Sequence, residues 1–270
     1  MFARAIEIAS SFTHPYVGLR RRADGTSYST MGAFVSVNKD GWILTSAHVL
    51  DEIAACQRDA AAHDAGDNAA RVIAHTEIWA IPGFAEGHPQ LREGHFNRVA
   101  DLALCRLDGF DVRLLGAPPV FRDTSKRQID QGASVCRLGF PFYDVAVVYD
   151  EAKRVFDIDS RAFPVPRFAL DGIVARFNRR LDGDVDSSAV FIETSTPGLR
   201  GQSGGPLLDT AGRVCGIQSH TTHIDLGFDA QYATADGVVV ERQFLNVGAA
   251  THVDEARALM DSRGVSYELG

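Results

Sequence analysis

Gly198-Leu199-Arg200-Gly201-Gln202-Ser203-Gly204-Gly205-Pro206-Leu207 sets one serine in a turn built of glycine, with the apolar run RVCGIQS (213–219) close behind it. A serine hydroxyl is a weak nucleophile until a neighbouring base takes its proton. Glycines beside it permit unusual dihedrals and close backbone approach, and N–H groups in such a turn can face a developing oxyanion. On that reading Gly201 and Ser203 donate to the oxyanion, with Gln202 between them in the same hole. A glycine-rich hairpin has similar letters, so the turn acquires meaning only through partners elsewhere.

Two such partners stand upstream. Thr45-Ser46-Ala47-His48-Val49 closes an apolar strand, and Asp101-Leu102-Ala103-Leu104 opens another. A neutral imidazole accepts a proton near neutral pH, and a carboxylate on its other nitrogen fixes its tautomer. Taken singly, His48 reads as a structural histidine and Asp101 as a strand cap. In the order His48, Asp101, Ser203 they supply the base, the orienting acid and the nucleophile of acyl transfer.

The surrounding chain is mostly strand-like. MGAFVSV (31–37), a turn at Asp40-Gly41 and WILTS (42–46) predict a hairpin. VIAHTEIWAI (72–81), DLALCRL (101–107), ASVCRLGF (133–140), LDGIVARF (170–177) and AVFIET (189–194) continue the style. Helices are expected at 50–63, ending by Gly66, and at 253–264, with Thr251 as N-cap and Gly264 as the stop. The pattern predicts an all-β fold with a C-terminal helix. The expected division is 1–116, a Pro-bearing linker at 117–132, and 133–270.

The net charge of −8 disfavours nucleic acid or an anionic membrane as partner, and Arg20-Arg21-Arg22 reads as a solvated loop edge. The N-terminus lacks a secretory pattern, and no stretch is long enough to span a membrane. Four scattered cysteines give neither a disulfide framework nor a zinc pattern, so a cytoplasmic location is expected. No cofactor or metal is expected; His220 and His223 lack a carboxylate partner.

These motifs together resemble the trypsin/chymotrypsin-like serine peptidases, nearest the bacterial HtrA/Deg branch without a PDZ domain. GAFVSVNKDGWILTSAHVL, DLALCRL, SVCRLGFPF and FIETSTPGLRGQSGGPLLDTAGRVCGIQS carry the resemblance, which extends over most of 28–264. Segments 50–98 and 221–243 diverge as insertions or loops, the latter overhanging the substrate pocket. The resemblance implies two six-stranded antiparallel β-barrels with a cleft between them. His48 and Asp101 come from the first and Ser203 from the second. It implies a serine endopeptidase acting on polypeptides, or a dormant protease-fold module awaiting a regulatory partner. Its primary pocket falls between Thr196, Pro197 and Gly198 on one wall and Gln218, Ser219 and His220 on the other. No aspartate occupies the position that gives trypsins their Lys/Arg preference; a polar or acidic side chain and a small apolar one both stay open. Gln202 stands where zymogens carry the aspartate that pairs with a new N-terminus, so activation by that ion pair is not expected.

Overall fold

A computed structural model describes residues 1–82, 89–182, 184–235 and 237–270. Part of the expected 50–98 insertion, 83–88, lies outside the described residues, as does 236 within the second divergent segment. After a short helix α1 (Ala3–Ala9) come β1 (Thr13–Arg22), β2 (Ser27–Ser36), β3 (Trp42–Ser46), α2 (Ala47–Asp64), β4 (Val72–Trp79), β5 (Gln90–Asn97) and β6 (Leu102–Asp108). The strands form one antiparallel sheet in the order β4-β1-β2-β3-β6-β5. The predicted hairpin is β2–β3, with Val35 opposite Leu44 and Gly41 at φ +87° in the connection. Gly41 is required there because a Cβ would lie 2.4 Å from the Leu107 carbonyl oxygen. No ladder joins β4 to β5 among the described residues.

The second half contains β7 (Val120–Phe121), β8 (Ser134–Gly139), β9 (Val147–Asp150), β10 (Val155–Ile158), β11 (Phe168–Asp182), β12 (Asp184–Thr194), β13 (Pro206–Leu208), β14 (Val214–Thr234), β15 (Gly237–His252), α3 (Val253–Asp261) and β16 (Glu268–Leu269). Its main sheet runs β13-β8-β11-β12-β15-β14, and a further β13–β14 pairing closes this circuit of antiparallel strands. β9 and β10 form a separate hairpin, while β7 adds to β14 and β16 adds to β7, both in parallel.

Helix α2 begins at Ala47, earlier than the expected 50, so His48 lies in its first turn. Val49, Leu50, Ile53 and Cys56 recur at helical spacing and are buried, the first three against Phe34, Ile43 and Trp79 of the first sheet. Helix α3 starts at the expected residue 253 and ends at Asp261, short of the expected 264; His252, not Thr251, is its N-cap, accepting from the Asp254 N–H. The second divergent segment is regular, because β14 and β15 continue as one long hairpin, with Thr234 opposite Gly237. Arg20-Arg21-Arg22 lies on strand β1 rather than in a loop. Arg20 faces inward, 2% exposed, with its guanidinium on Glu52 of α2 at 2.5 Å; Arg21 pairs with Glu151, and Arg22 stacks over Tyr28. The expected linker carries Phe121, which is fully buried. No helix among the described residues is long and apolar enough to cross a membrane.

One apolar cluster ties both sheets together: Val35, Leu44 and Leu102 of the first meet Leu138, Phe191 and Leu207 of the second, with Phe121 and α3's Met260 in the same cluster. Phe121→Ala should leave a cavity there and cost about 3–5 kcal/mol of stability. Urea unfolding of the two proteins checks it; a loss below about 1 kcal/mol would show that the site collapses or is not core.

Candidate active site

Ser46 occupies the N-cap position of α2, yet its hydroxyl does not cap the helix: it donates to the Gln218 carbonyl at 2.7 Å. The orphan N–H groups of the first turn find Asp101 instead. The Asp101 carbonyl accepts from Ala47 N–H at 3.1 Å, and its Oδ1 accepts from His48 N–H at 2.9 Å. A carboxylate at a helix N-terminus is also favoured by the helix dipole. Oδ2 faces the imidazole, 2.8 Å from His48 Nδ1, and also accepts from the Ser219 hydroxyl at 2.5 Å. Asp101 adopts φ +51°, a left-handed conformation that aspartate tolerates better than most residues. The turn before β6 thereby delivers both its carbonyl and its carboxylate to α2.

These contacts set the electrostatics. Burial opposes ionisation of Asp101, but hydrogen bonds from His48 and Ser219 together with the His48 charge hold its pKa below the usual carboxylate value. Burial likewise disfavours the His48 cation. The Asp101 hydrogen bond and charge outweigh it, with Glu52 and Asp51 adding, so the His48 pKa lies above the ordinary 6.5. Because Asp101 accepts at Nδ1, the neutral ring carries its proton there and leaves Nε2 as the acceptor.

Ser203 is brought to the same cleft from the second sheet. Its carbonyl accepts from Ala33 N–H of β2 at 2.8 Å, and Gly204 N–H donates to the Gln218 carbonyl at 2.8 Å. A Cβ on Gly204, at φ +84°, would lie 2.1 Å from the Ala33 oxygen and 2.2 Å from Thr45 Oγ1. Only glycine fits between the sheets here. The Ser203 hydroxyl donates to the Ser219 carbonyl at 3.4 Å rather than to His48. Gln202 N–H is engaged by the Leu199 carbonyl, whereas those of Gly201 (φ +91°) and Ser203 find no acceptor among the described residues. That leaves two donors, not three, free beside the hydroxyl.

His48, Asp101 and Ser203 line a cleft of about 890 Å³ with Pro197, Gly198, Gln218, Ser219 and His220 of the expected walls. Thr196 stands behind the wall instead, held by Arg137, which donates to its carbonyl and hydroxyl at 3.1 Å. His220 and His223 bond to Ser219 Oγ and Asn246 Oδ1. Among the described residues no three His, Cys, Asp or Glu side chains form a metal-binding group. Sequence reasoning missed Arg137 and Arg180: Arg137 is a single arginine in an apolar strand and Arg180 one of three in β11, and only the tertiary pairing sets the one behind the cleft wall and the other at its rim.

Residues 31–217 match the family profile described as a trypsin-like peptidase domain. A probable periplasmic DegP-like serine endoprotease of Pseudomonas fluorescens (strain Pf-5) is 25% identical over 232 residues, covering 81% of this chain. The chain spans only 38% of that relative's length. Among solved structures, the HtrA-type protease AlgW with tripeptide superimposes with a TM-score of 0.53 at 20% identity, covering 97% of this chain and 63% of that one. The Rv3671c protease from M. tuberculosis in its active form gives 0.52 at 15%, covering 98% and 86%. At these identities the structures speak for the fold.

Asp101→Asn should lower the His48 pKa, because burial remains while the acid that opposes it is gone. Imidazole NMR titration of the two proteins checks this; an unchanged pKa would contradict the pairing.

Proposed function

As a member of the trypsin-like peptidase family, this chain has the parts of an acyl-transfer site, and we propose that it is a serine endopeptidase using His48, Asp101 and Ser203. The observation that carries the reading is the Asp101 carboxylate, 2.8 Å from His48 Nδ1, in a cleft that also holds Ser203. His48 Nε2 takes the Ser203 proton as Oγ attacks the scissile carbonyl carbon, and the carbonyl π pair moves onto oxygen. Gly201 and Ser203 N–H stabilise that oxyanion. The imidazolium, balanced by Asp101, then protonates the leaving amine, and the C–N bond breaks to leave an ester on Ser203. Water, deprotonated by the same imidazole, hydrolyses the ester and regenerates the hydroxyl.

The Ser203 hydroxyl must turn from the Ser219 carbonyl to His48, a rotation about one side-chain bond. Such bonds are commonly long or misaligned before substrate arrives. The same observation favours a second reading, a dormant site completed by a regulatory partner. The four cysteines are free and buried, with burial holding Cys105 and Cys215 at about 12 and Cys136 at about 11. Such thiols are unreactive, and a cytoplasmic setting is part of the proposal, not of the observation.

Fluorophosphonate labelling should give one adduct, at Ser203, lost in both Ser203→Ala and His48→Ala. A folded protein that takes no label would sink the constitutively active reading and leave the dormant one. Catalysis requires neutral His48, so kcat/KM should fall with acid through an apparent pKa above 6.5, in keeping with the raised His48 value. Asp101→Asn should lower kcat by roughly 10³–10⁴; a loss under about tenfold would exclude the acid's orienting role.

A further inference from the structure

The cleft contains an imbalance of charge that the triad does not use. Asp51 pairs with Arg98 at 2.9 Å, and Asp101 is bound to His48 and Ser219. Each carboxylate lining the cleft among the described residues is thus occupied. Arg180 of β11 and Arg200 of the nucleophile turn also line it and are exposed, and their guanidinium groups make no ion pair or hydrogen bond with described residues.

Behind the wall lies a third cation. Arg137 of β8 is 1% exposed. Its guanidinium donates to Gln218 Oε1 at 2.5 Å, to the Thr196 carbonyl and hydroxyl, to the Pro197 carbonyl at 3.4 Å and to the Thr194 hydroxyl. All of these acceptors are neutral, and no carboxylate pairs with it among the described residues. Burial pulls its pKa down to about 10, which leaves it cationic near neutrality. Interiors rarely hold a charge without a counter-charge, since desolvation is repaid only by a partner.

Arg137 also fixes the adjoining amide. With Oε1 taken, Gln218 presents Nε2 toward Gly198, where a Cβ would lie only 2.2 Å away. One Nε2 hydrogen goes to the His220 carbonyl at 3.0 Å, and the other has no acceptor among the described residues. The wall between Gly198 and Gln218 is therefore donor-rich, backed by a buried cation and faced by two cations that are unpaired among the described residues.

Resting on the peptidase reading of this cleft, we propose that it selects substrates with aspartate or glutamate at the residue whose carbonyl is attacked. Arg137 and Gln218 act as specificity-determining residues at the pocket wall, and Arg180 and Arg200 attract the carboxylate from the rim. The expected preference over alanine is about tenfold or more, the attraction of one unit charge across ~10 Å at an effective dielectric near 20.

The test uses full-length Ser203→Ala protein and fluorescent peptides identical except for Asp, Glu, Ala, Leu or Lys at that residue. Anisotropy reads binding without requiring turnover, and kcat/KM of the unmodified enzyme is measured on the same peptides. Acidic peptides should bind about tenfold or more tightly than the others, with the advantage shrinking between about 50 and about 500 mM salt. Arg180→Glu and Arg200→Glu, both at exposed positions, should each lower the acidic-to-alanine ratio; Arg137→Met should lower it too if the variant folds. Alanine, leucine or lysine peptides binding as well as the acidic ones would overturn the proposal. Fluorophosphonate labelling in parallel distinguishes that outcome from failure of the peptidase reading: a labelled enzyme with no acidic preference loses only the specificity.

Discussion

The Asp101 carboxylate is the constraint on which the rest of the site depends. One oxygen closes the first turn of α2 through His48 N–H, and the other meets both the His48 ring and the Ser219 hydroxyl. A half-buried carboxylate is tolerable only when its lone pairs are filled, and here three donors fill them. Two come from the first sheet's helix and one from β14 of the second. The interaction that lowers the acid's pKa is the same one that starts the helix, fixes the imidazole and joins the two halves. Such a group is difficult to replace, because any neutral substitute leaves donors unpaired as well as losing charge.

The Gln218 carbonyl performs a parallel service on the nucleophile side. It accepts from Ser46 Oγ and from Gly204 N–H, so the residue preceding α2 and the residue following Ser203 share one acceptor. The Ala33 N–H to Ser203 carbonyl bond adds a second link from β2. Positioning of His48 relative to Ser203 therefore rests on hydrogen bonds to the Gln218 and Ser203 carbonyls, two of them between the sheets, in a region too close-packed for a Cβ at 204. This rigidity suits a reaction that loses rate with small displacements of its groups. Only the Ser203 hydroxyl retains freedom, through one side-chain torsion.

Much of this was legible in the chain. The glycines around Ser203, the apolar strand ending at His48 and the acid opening β6 carry their chemistry in local order, because each motif needs its neighbours for backbone geometry. The strand-rich fold and the C-terminal helix followed from short apolar runs broken by turn residues. What was not legible depends on long-range pairing. Arg20 looked solvated as part of a basic triplet, but β1 is covered on both faces up to that point, and the side chain is buried with its guanidinium on Glu52 of α2. Ser46 was legible only as part of the strand leading to His48, and nothing local showed that its hydroxyl belongs to the Gln218 carbonyl. The segment after Thr221 looked like a loop; pairing with β15 makes it strand. Arg137 gave no signal, since a single arginine between apolar residues does not reveal which carbonyls will surround it.

The central claim is that Asp101, His48 and Ser219 act as one unit through the acid's shared oxygen. A double-mutant cycle on the fluorophosphonate inactivation rate, with Asp101→Asn, Ser219→Ala and the pair, tests it most directly. The account predicts that Ser219→Ala slows labelling in the native background and has little further effect once Asp101 is replaced. Fully additive losses would show that Ser219 acts independently of the acid, and would contradict the account.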